Sequence, residues 1–265
     1  MTALALSPLA TLSRRRFQLT ARTPRELLVP LLTPIMFALV IAPALKTALH
    51  TQASYESYVA IGTIGLLIPL NTMFAGLGVI IDRESGAQRE LLAAPVPRAL
   101  IVLGNLLVAL AITGLQVGVL IAVAVARGIH FDATSSGLVW FMAAATLFAV
   151  GMYGAAEILA NRVPKQEEYI ARVPAIAILP WFLAGALYPI TAMPHGLTWV
   201  AKFLPLTHGL ALMRYGLLDD SSGLRHIWGM SDPPGMAALS IGVLALFALL
   251  LSVVSVRVFS RAALR

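Results

Sequence analysis

The sequence has no cysteine, and charged residues fill only 12% of its 265 positions. The first absence excludes disulfides, thiolate catalysis and cysteine metal sites. The second sets the chain apart from soluble proteins, in which about a quarter of residues carry charge. Acids are scarcer than bases, 12 against 19. No Gly-Lys dipeptide occurs, so the phosphate-cradling loop G-x-x-x-x-G-K-[ST] is missing, and so is an H-E-x-x-H helix or a comparable catalytic set. What is present is apolar: 59% of the residues are hydrophobic, in runs near the 20 residues a helix needs to cross a bilayer core. These proportions predict an all-α, multi-pass membrane protein. The formal charge of +7 does not point to nucleic acid, because the bases sit beside the apolar runs, where cytoplasmic membrane faces collect them.

Six spans are expected. The first, 27–49, contains Pro30, Pro34 and Pro43, each of which removes a backbone donor and kinks or unwinds the helix. The second is 58–81, with Asn71 near its middle; the third is 99–126 and the fourth 138–160. The fifth, 171–188, is short and holds Pro174 and Pro180, and the sixth, 235–256, is followed by Arg257, Arg261 and Arg265. Between the last two, residues 189–234 are moderately apolar, broken at Pro194 and Pro205 and dotted with Trp199, His195 and His208. That pattern suggests short helices that dip into the outer leaflet or pack over the bundle. The division expected is an N-terminal arm, 1–26, a six-helix domain, 27–256, and a tail, 257–265. In the arm, Ser13 to Leu19 superficially resembles a twin-arginine signal, but the apolar run begins only near residue 27 and further spans follow. An interfacial helix fits better, with Leu9, Leu12, Phe17 and Leu19 dipping toward acyl chains and the arginines meeting anionic headgroups.

Lys and Arg set the orientation. One side of a six-span chain collects Arg14, Arg15, Arg16, Arg22, Arg25, Arg83, Arg89, Arg98, Arg162, Lys165, Arg172, Arg257, Arg261 and Arg265. The other has Lys46, Arg127, Lys202, Arg214 and Arg225. Fourteen against five puts both termini in the cytoplasm.

The densest polar island is the cytoplasmic stretch 81–98, which carries Asp82, Arg83, Glu84, Arg89, Glu90 and Arg98 between two long apolar runs. Ser85 and Gln88 stand at capping-box spacing, Asp82 and Glu84 add negative charge near the helix start, and Pro95 and Pro97 end the helix. About two turns result, roughly 12 Å, too short to be stable alone. Leu91 and Leu92 would hold it to the span ends or to a docked partner. An ordinary cytoplasmic loop whose leucines dip back into the bilayer fits these residues equally well.

Arg83, Glu84, Gly86, Leu91, Pro95, Pro97 and Arg98, with Gly104 just inside the next span, resemble the pattern of type-2 ABC exporter permeases, the family that includes daunorubicin-type drug-efflux permeases. A second block agrees: Leu183 to Pro189, then Met193-Pro194, then Leu204 to Thr207 and Arg214. The chain departs from the commoner pattern at Ala184, where serine often stands, and at Leu204, where asparagine often precedes the proline. The resemblance implies that the island is a coupling helix seated in a groove of a separate ATP-binding subunit, with Asp82, Arg83, Glu84, Ser85, Gly86, Gln88, Arg89, Leu91, Leu92 and Pro95 at the contact. It implies two permease subunits, identical or paralogous, with two ATPase subunits in a bacterial inner membrane. ATP and Mg2+ would be held by the partner and no cofactor by this chain. Tyr188, Pro189, Pro194, Pro205 and Thr207 would belong to an extracellular gate segment.

Other polar residues carry weaker signals. Asn71 suits a substrate path or a subunit interface, or an internal hydrogen bond to a neighbouring helix. Glu157 lies within a turn of Asn161 and Arg162 and reads as an interfacial carboxylate, with a proton relay or substrate-charge site as the alternative. Gly114 and Gly118 form a G-x-x-x-G suited to close helix packing. The five histidines have no metal-ligand spacing and read as loop or interfacial residues. Glu167 and Glu168, beside Lys165, form a solvated cluster or a secondary ATPase contact. The resulting expectation is a permease subunit exporting an amphipathic, drug-like or lipid-like compound. Its rival, an ion-driven secondary transporter, should place acids or broken helices at the membrane midplane, often in repeated halves, and the sequence shows no internal repeat and no mid-membrane acid.

Overall fold

A computed structural model describes residues 2–22, 28, 32, 35, 36, 39, 40, 44 and 54–262. Most of the first expected span, with its three prolines, lies outside the described residues. The described residues are helical with no strand. They form α1 (Thr2–Ala21), α2 (Ser54–Ala75), α3 (Leu77–Glu84), α4 (Ala87–Ala93), α5 (Arg98–Ala126), α6 (Ser135–Ala160), α7 (Gln166–Leu183), α8 (His195–Phe203), α9 (Pro205–Leu218), α10 (Ser222–Trp228) and α11 (Pro233–Ala262). Four stretches are long and apolar enough to cross a membrane: Tyr55–Glu84, Arg98–Ala126, Ser135–Ala160 and Pro233–Arg261. They match the expected spans two, three, four and six. Most of the expected fifth span, 171–188, falls in α7, which begins earlier and ends at Leu183, two residues before the chain turns through Gly185 at a φ of 78°.

α2 and α3 form the axis of the bundle and are buried on almost every side from Val59 to Ile80. α5, α6, α7 and α9 pack around α2, and α11 lies chiefly along α6. The long helical stretch is interrupted once, at Gly76. The Tyr169 hydroxyl from α7 donates to the Met73 carbonyl, and a methyl group at Gly76 would lie 2.2 Å from that hydroxyl oxygen. Glycine is what lets the tyrosine enter the helix ladder, and an inserted side chain is a recognised cause of such breaks.

Close contacts fix the end of the bundle at which α2 begins. The Trp181 indole donates to the Gly62 carbonyl at 2.7 Å, and a methyl group at Gly62 would lie 2.1 Å from the Ala186 carbonyl oxygen. Gly137 of α6 and Gly216 of α9 cross just as closely, each leaving room only for the other's backbone. Pro205 opens α9 at the first-turn position that tolerates a missing donor. Leu204, Pro69, Phe148 and Phe247 meet around an apolar cavity of about 180 Å3, and the last three lie near the middles of the stretch Tyr55–Glu84, of α6 and of α11. The hairpin of α8 and α9 therefore reaches half the depth of the bundle, and α9 runs back to the Gly137 end.

Gly62→Ala should lower stability by about 1–3 kcal/mol, the usual cost of overpacking, read as a lower melting temperature in detergent. Gly114→Ala is the control, because among the described residues nothing lies within 4 Å of a methyl group there; equal melting of the two variants would contradict the packing described.

Candidate functional site

Of the basic residues expected on one side, Arg15, Arg16, Arg83 and Arg98 meet at one end of the bundle. The Arg98 guanidinium donates to the Ser260 carbonyl at 2.8 Å, and Arg83 donates to the carbonyls of Ala160, Val163 and Pro164. Arg83 thus closes the C-terminal end of α6, where carbonyls lack helical partners and the dipole favours a cation. At the same end α1 lies across α5. Gly104 permits this, since a methyl group there would touch the Leu12 Cβ at 3.0 Å, and the Ser13 hydroxyl donates to the Gly104 carbonyl at 3.5 Å.

Asp82 is the residue around which this end is built. Arg15 binds both its carboxylate oxygens, at 3.0 and 3.2 Å, and Arg16 approaches within 3.7 Å. Arg16 also donates to the Ala75 carbonyl at 3.1 Å, the carbonyl just before the Gly76 break. Its guanidinium lies against Gly78, where any side chain would occupy the same space. Sequence reading placed Arg15 and Arg16 at lipid headgroups and Asp82 at a partner. The structure instead ties them together through a charge-assisted, two-pronged contact. Arg83 likewise points into the chain and not away from it.

α4 has the expected two turns, but its start differs from the capping box. Gly86 is the N-cap, with φ 81°, and no side chain caps the helix. The Ser85 hydroxyl turns back to the Asp82 carbonyl at 3.3 Å, because Ser85 still belongs to the last turn of α3. A left-handed residue is what redirects the chain between α3 and α4, and glycine adopts it without steric cost. The helix ends as expected, Ala94 being extended before Pro95. Gln88 is buried, and Leu91 and Leu92 pack on the cluster of Ile101, Val102, Tyr153 and Phe259. Arg89 and Glu90 are exposed, as are Glu84 and Pro95. Glu84 accepts a hydrogen bond from Gln166, at the start of α7. Glu168 pairs with Arg172 one turn on, at 3.6 Å. α4 is therefore a two-turn helix clamped by its leucines, with charges turned outward.

Asn71 is 7% exposed and lines a cavity of about 40 Å3 between α1, α2 and α5, together with Arg16, Thr20, Asn105, Thr113 and Gln116. Its amide nitrogen and the Thr113 hydroxyl have no hydrogen-bond partner among the described residues. Glu157 differs from the interfacial carboxylate expected: it is fully buried, accepting from Tyr153 at 2.8 Å and Asn161 at 3.2 Å. It does not line the Asn71 cavity, since both its oxygens face neighbours on its own helix.

One further expectation is corrected. His208 is buried, with its ring nitrogens beside the Ser240 hydroxyl and the Lys202 carbonyl and its ring tilted against Trp228. Gly114 and Gly118 lie on an exposed face of α5 and pack against nothing within the described chain. In the segment that follows α7, Tyr188 and Pro189 are exposed, Pro194 precedes α8, Pro205 begins α9, and Thr207 is buried. Arg214, singled out in the sequence only as a motif member, is 4% exposed and stacks 3.4 Å over the Tyr58 ring.

Comparison with known proteins agrees with this architecture. The chain is 24% identical over 215 residues to the transport permease ycf38 of Porphyra purpurea, a match covering 79% of this chain and 74% of the relative. It is 25% identical over 199 residues to the ycf38 permease of Pyropia yezoensis, covering 73% and 68%. The model of the ABC-2 type transporter family matches residues 8–218, a range that begins within α1 and closes at the end of α9. This multi-pass helical chain belongs to the ABC-2 type transporter family, as the membrane permease of an ABC transporter.

Proposed function

We propose that this permease works as an exporter, moving an amphipathic, drug-like or lipid-like compound out of a bacterial cell across the inner membrane. Two copies, or this chain and a close paralogue, pair with two ATPase subunits that bind the ATP and Mg2+. Six spans put both termini in the cytoplasm, with residues 27–49 and α7 completing the four long helices. α1 lies along the inner face of the membrane, and the α8–α9 hairpin re-enters from outside as part of a gate with Tyr188, Pro189 and Thr207. Irregular backbone at that depth is acceptable because α9 is buried in protein and not in lipid. Asn71, in its polar cavity, belongs to the translocation path; the satisfied hydrogen bonds of Glu157 favour a structural role.

The observation that carries this reading is α4. Its leucines are anchored on α5 and α11, its charges face outward, and it continues from α3 through Gly86, so a push on α4 reaches the axis of the bundle. ATP-dependent changes in the partner would bias the permease between inward- and outward-facing arrangements through differential contacts at α4. Purification of the tagged chain from its native membrane should recover an ABC ATPase in stoichiometric amount. A stable, active chain without one, driven by an ion gradient, would favour the secondary transporter instead.

A further inference from the structure

The end of the bundle at which α2 begins contains a cation that touches no carboxylate among the described residues. Arg214 donates to the Ala186 carbonyl at 3.0 Å and the Tyr58 carbonyl at 3.5 Å, and its plane rests on the Tyr58 ring. Tyr58 is itself fixed by a bond from its hydroxyl to the Gly185 carbonyl at 2.9 Å. The Arg214 Nε–H has no partner, and no carboxylate forms an ion pair with Arg214 among the described residues. Asp220, whose charge reaches it, accepts instead from the Ser222 backbone N–H at 2.8 Å. Arginines this deeply buried are normally paired.

A second orphan faces the same space. Thr207 is 3% exposed and its hydroxyl has no partner among the described residues. Thr207, Ala211 and Arg214 occupy one face of α9, four and seven residues apart, and an arginine on a helix leans back toward the N-terminus. All three line a cavity of about 30 Å3 that also borders Ser222 and His226. Some 10–15 Å3 suffices for one water, so the space has room for a small ion. A site with a guanidinium, a free hydroxyl donor and no acid in its lining selects for negative charge.

We propose that this cavity is a binding site for a halide-class anion, held by the Arg214 Nε–H and the Thr207 hydroxyl. The bound anion compensates the guanidinium, and because Arg214 holds the carbonyl of Ala186, it fastens α9 to the turn after α7. The site is independent of the ATPase partner, so it can be tested on the full chain purified in detergent. Replacing gluconate by chloride or bromide at constant ionic strength should raise the melting temperature in a saturable way. Thr207→Val, which removes a hydroxyl that satisfies nothing else, should leave the fold intact and weaken the halide dependence roughly tenfold. Crystals grown in bromide should show anomalous density beside Arg214. Equal melting in gluconate and chloride, unchanged halide dependence in Thr207→Val, or a water in place of bromide would each overturn the proposal.

Discussion

Asp82→Ala should cost about 3–5 kcal/mol, the penalty for breaking a buried charge cluster by removing one partner. Asp82 is the acid that neutralises Arg15 and Arg16, and Arg16 is 8% exposed. Without the carboxylate, a buried guanidinium keeps only the Ala75 carbonyl, and Arg15 loses both of its short contacts. The damage is local to the joint between α1 and α3, leaving α1 its contacts with α5, among them Leu12 against Gly104 and the weak Ser13 bond. α1 should detach before the long helices separate, so export should fall even where the chain still inserts. Asp82→Asn should lie between, since the amide oxygen still accepts a hydrogen bond without neutralising charge. Melting followed by tryptophan fluorescence checks the order: wild type, then Asp82→Asn, then Asp82→Ala. Wild-type melting of the alanine variant would remove Asp82 from its place in the fold.

The double reversal Arg89→Glu with Glu90→Lys should leave the fold intact and abolish ATP-driven export. Both side chains are exposed on α4, and neither forms an ion pair within the described chain. Exposed substitutions away from packing features usually change stability by no more than about 0.5 kcal/mol. A complementary partner surface would instead meet like charges at two adjacent positions, which costs several kcal/mol and weakens binding by roughly hundredfold. Leu91→Asp would be a poorer test, because Leu91 packs on the cluster with Ile101 and Val102 and its loss would disturb the permease itself.

The long helices were legible because each is an apolar run of sufficient length, and α5, α6 and α11 start and stop within a few residues of the hydropathy edges. α4 was legible in length, since Pro95 enforces its end. Its start was not. A serine three residues before a glutamine satisfies the capping-box pattern whatever the backbone does, and here α3 extends through Glu84, leaving Gly86 to make the turn. The links between distant segments were illegible for another reason. Nothing local marks Arg16 as a partner of Asp82, and Gly78 gives no sign that it clears space for a guanidinium 62 residues upstream. Hydropathy assigned arginines to headgroups, whereas tertiary pairing drew two of them inward. Glu157 was misjudged by position along α6: its nearness to the helix end suggested water, but the face it occupies is closed by neighbouring helices.

The central claim is that α4 transmits the ATPase cycle to this permease, and the most direct measurement is the amount of ATPase that stays bound to it. Tagged wild-type chain and the Arg89→Glu, Glu90→Lys variant should be purified in parallel from the same membranes, with melting temperature as the check on folding. The account predicts stoichiometric ATPase with the wild type and almost none with the equally stable variant. Undiminished ATPase and undiminished ATP-driven export in that variant would contradict it.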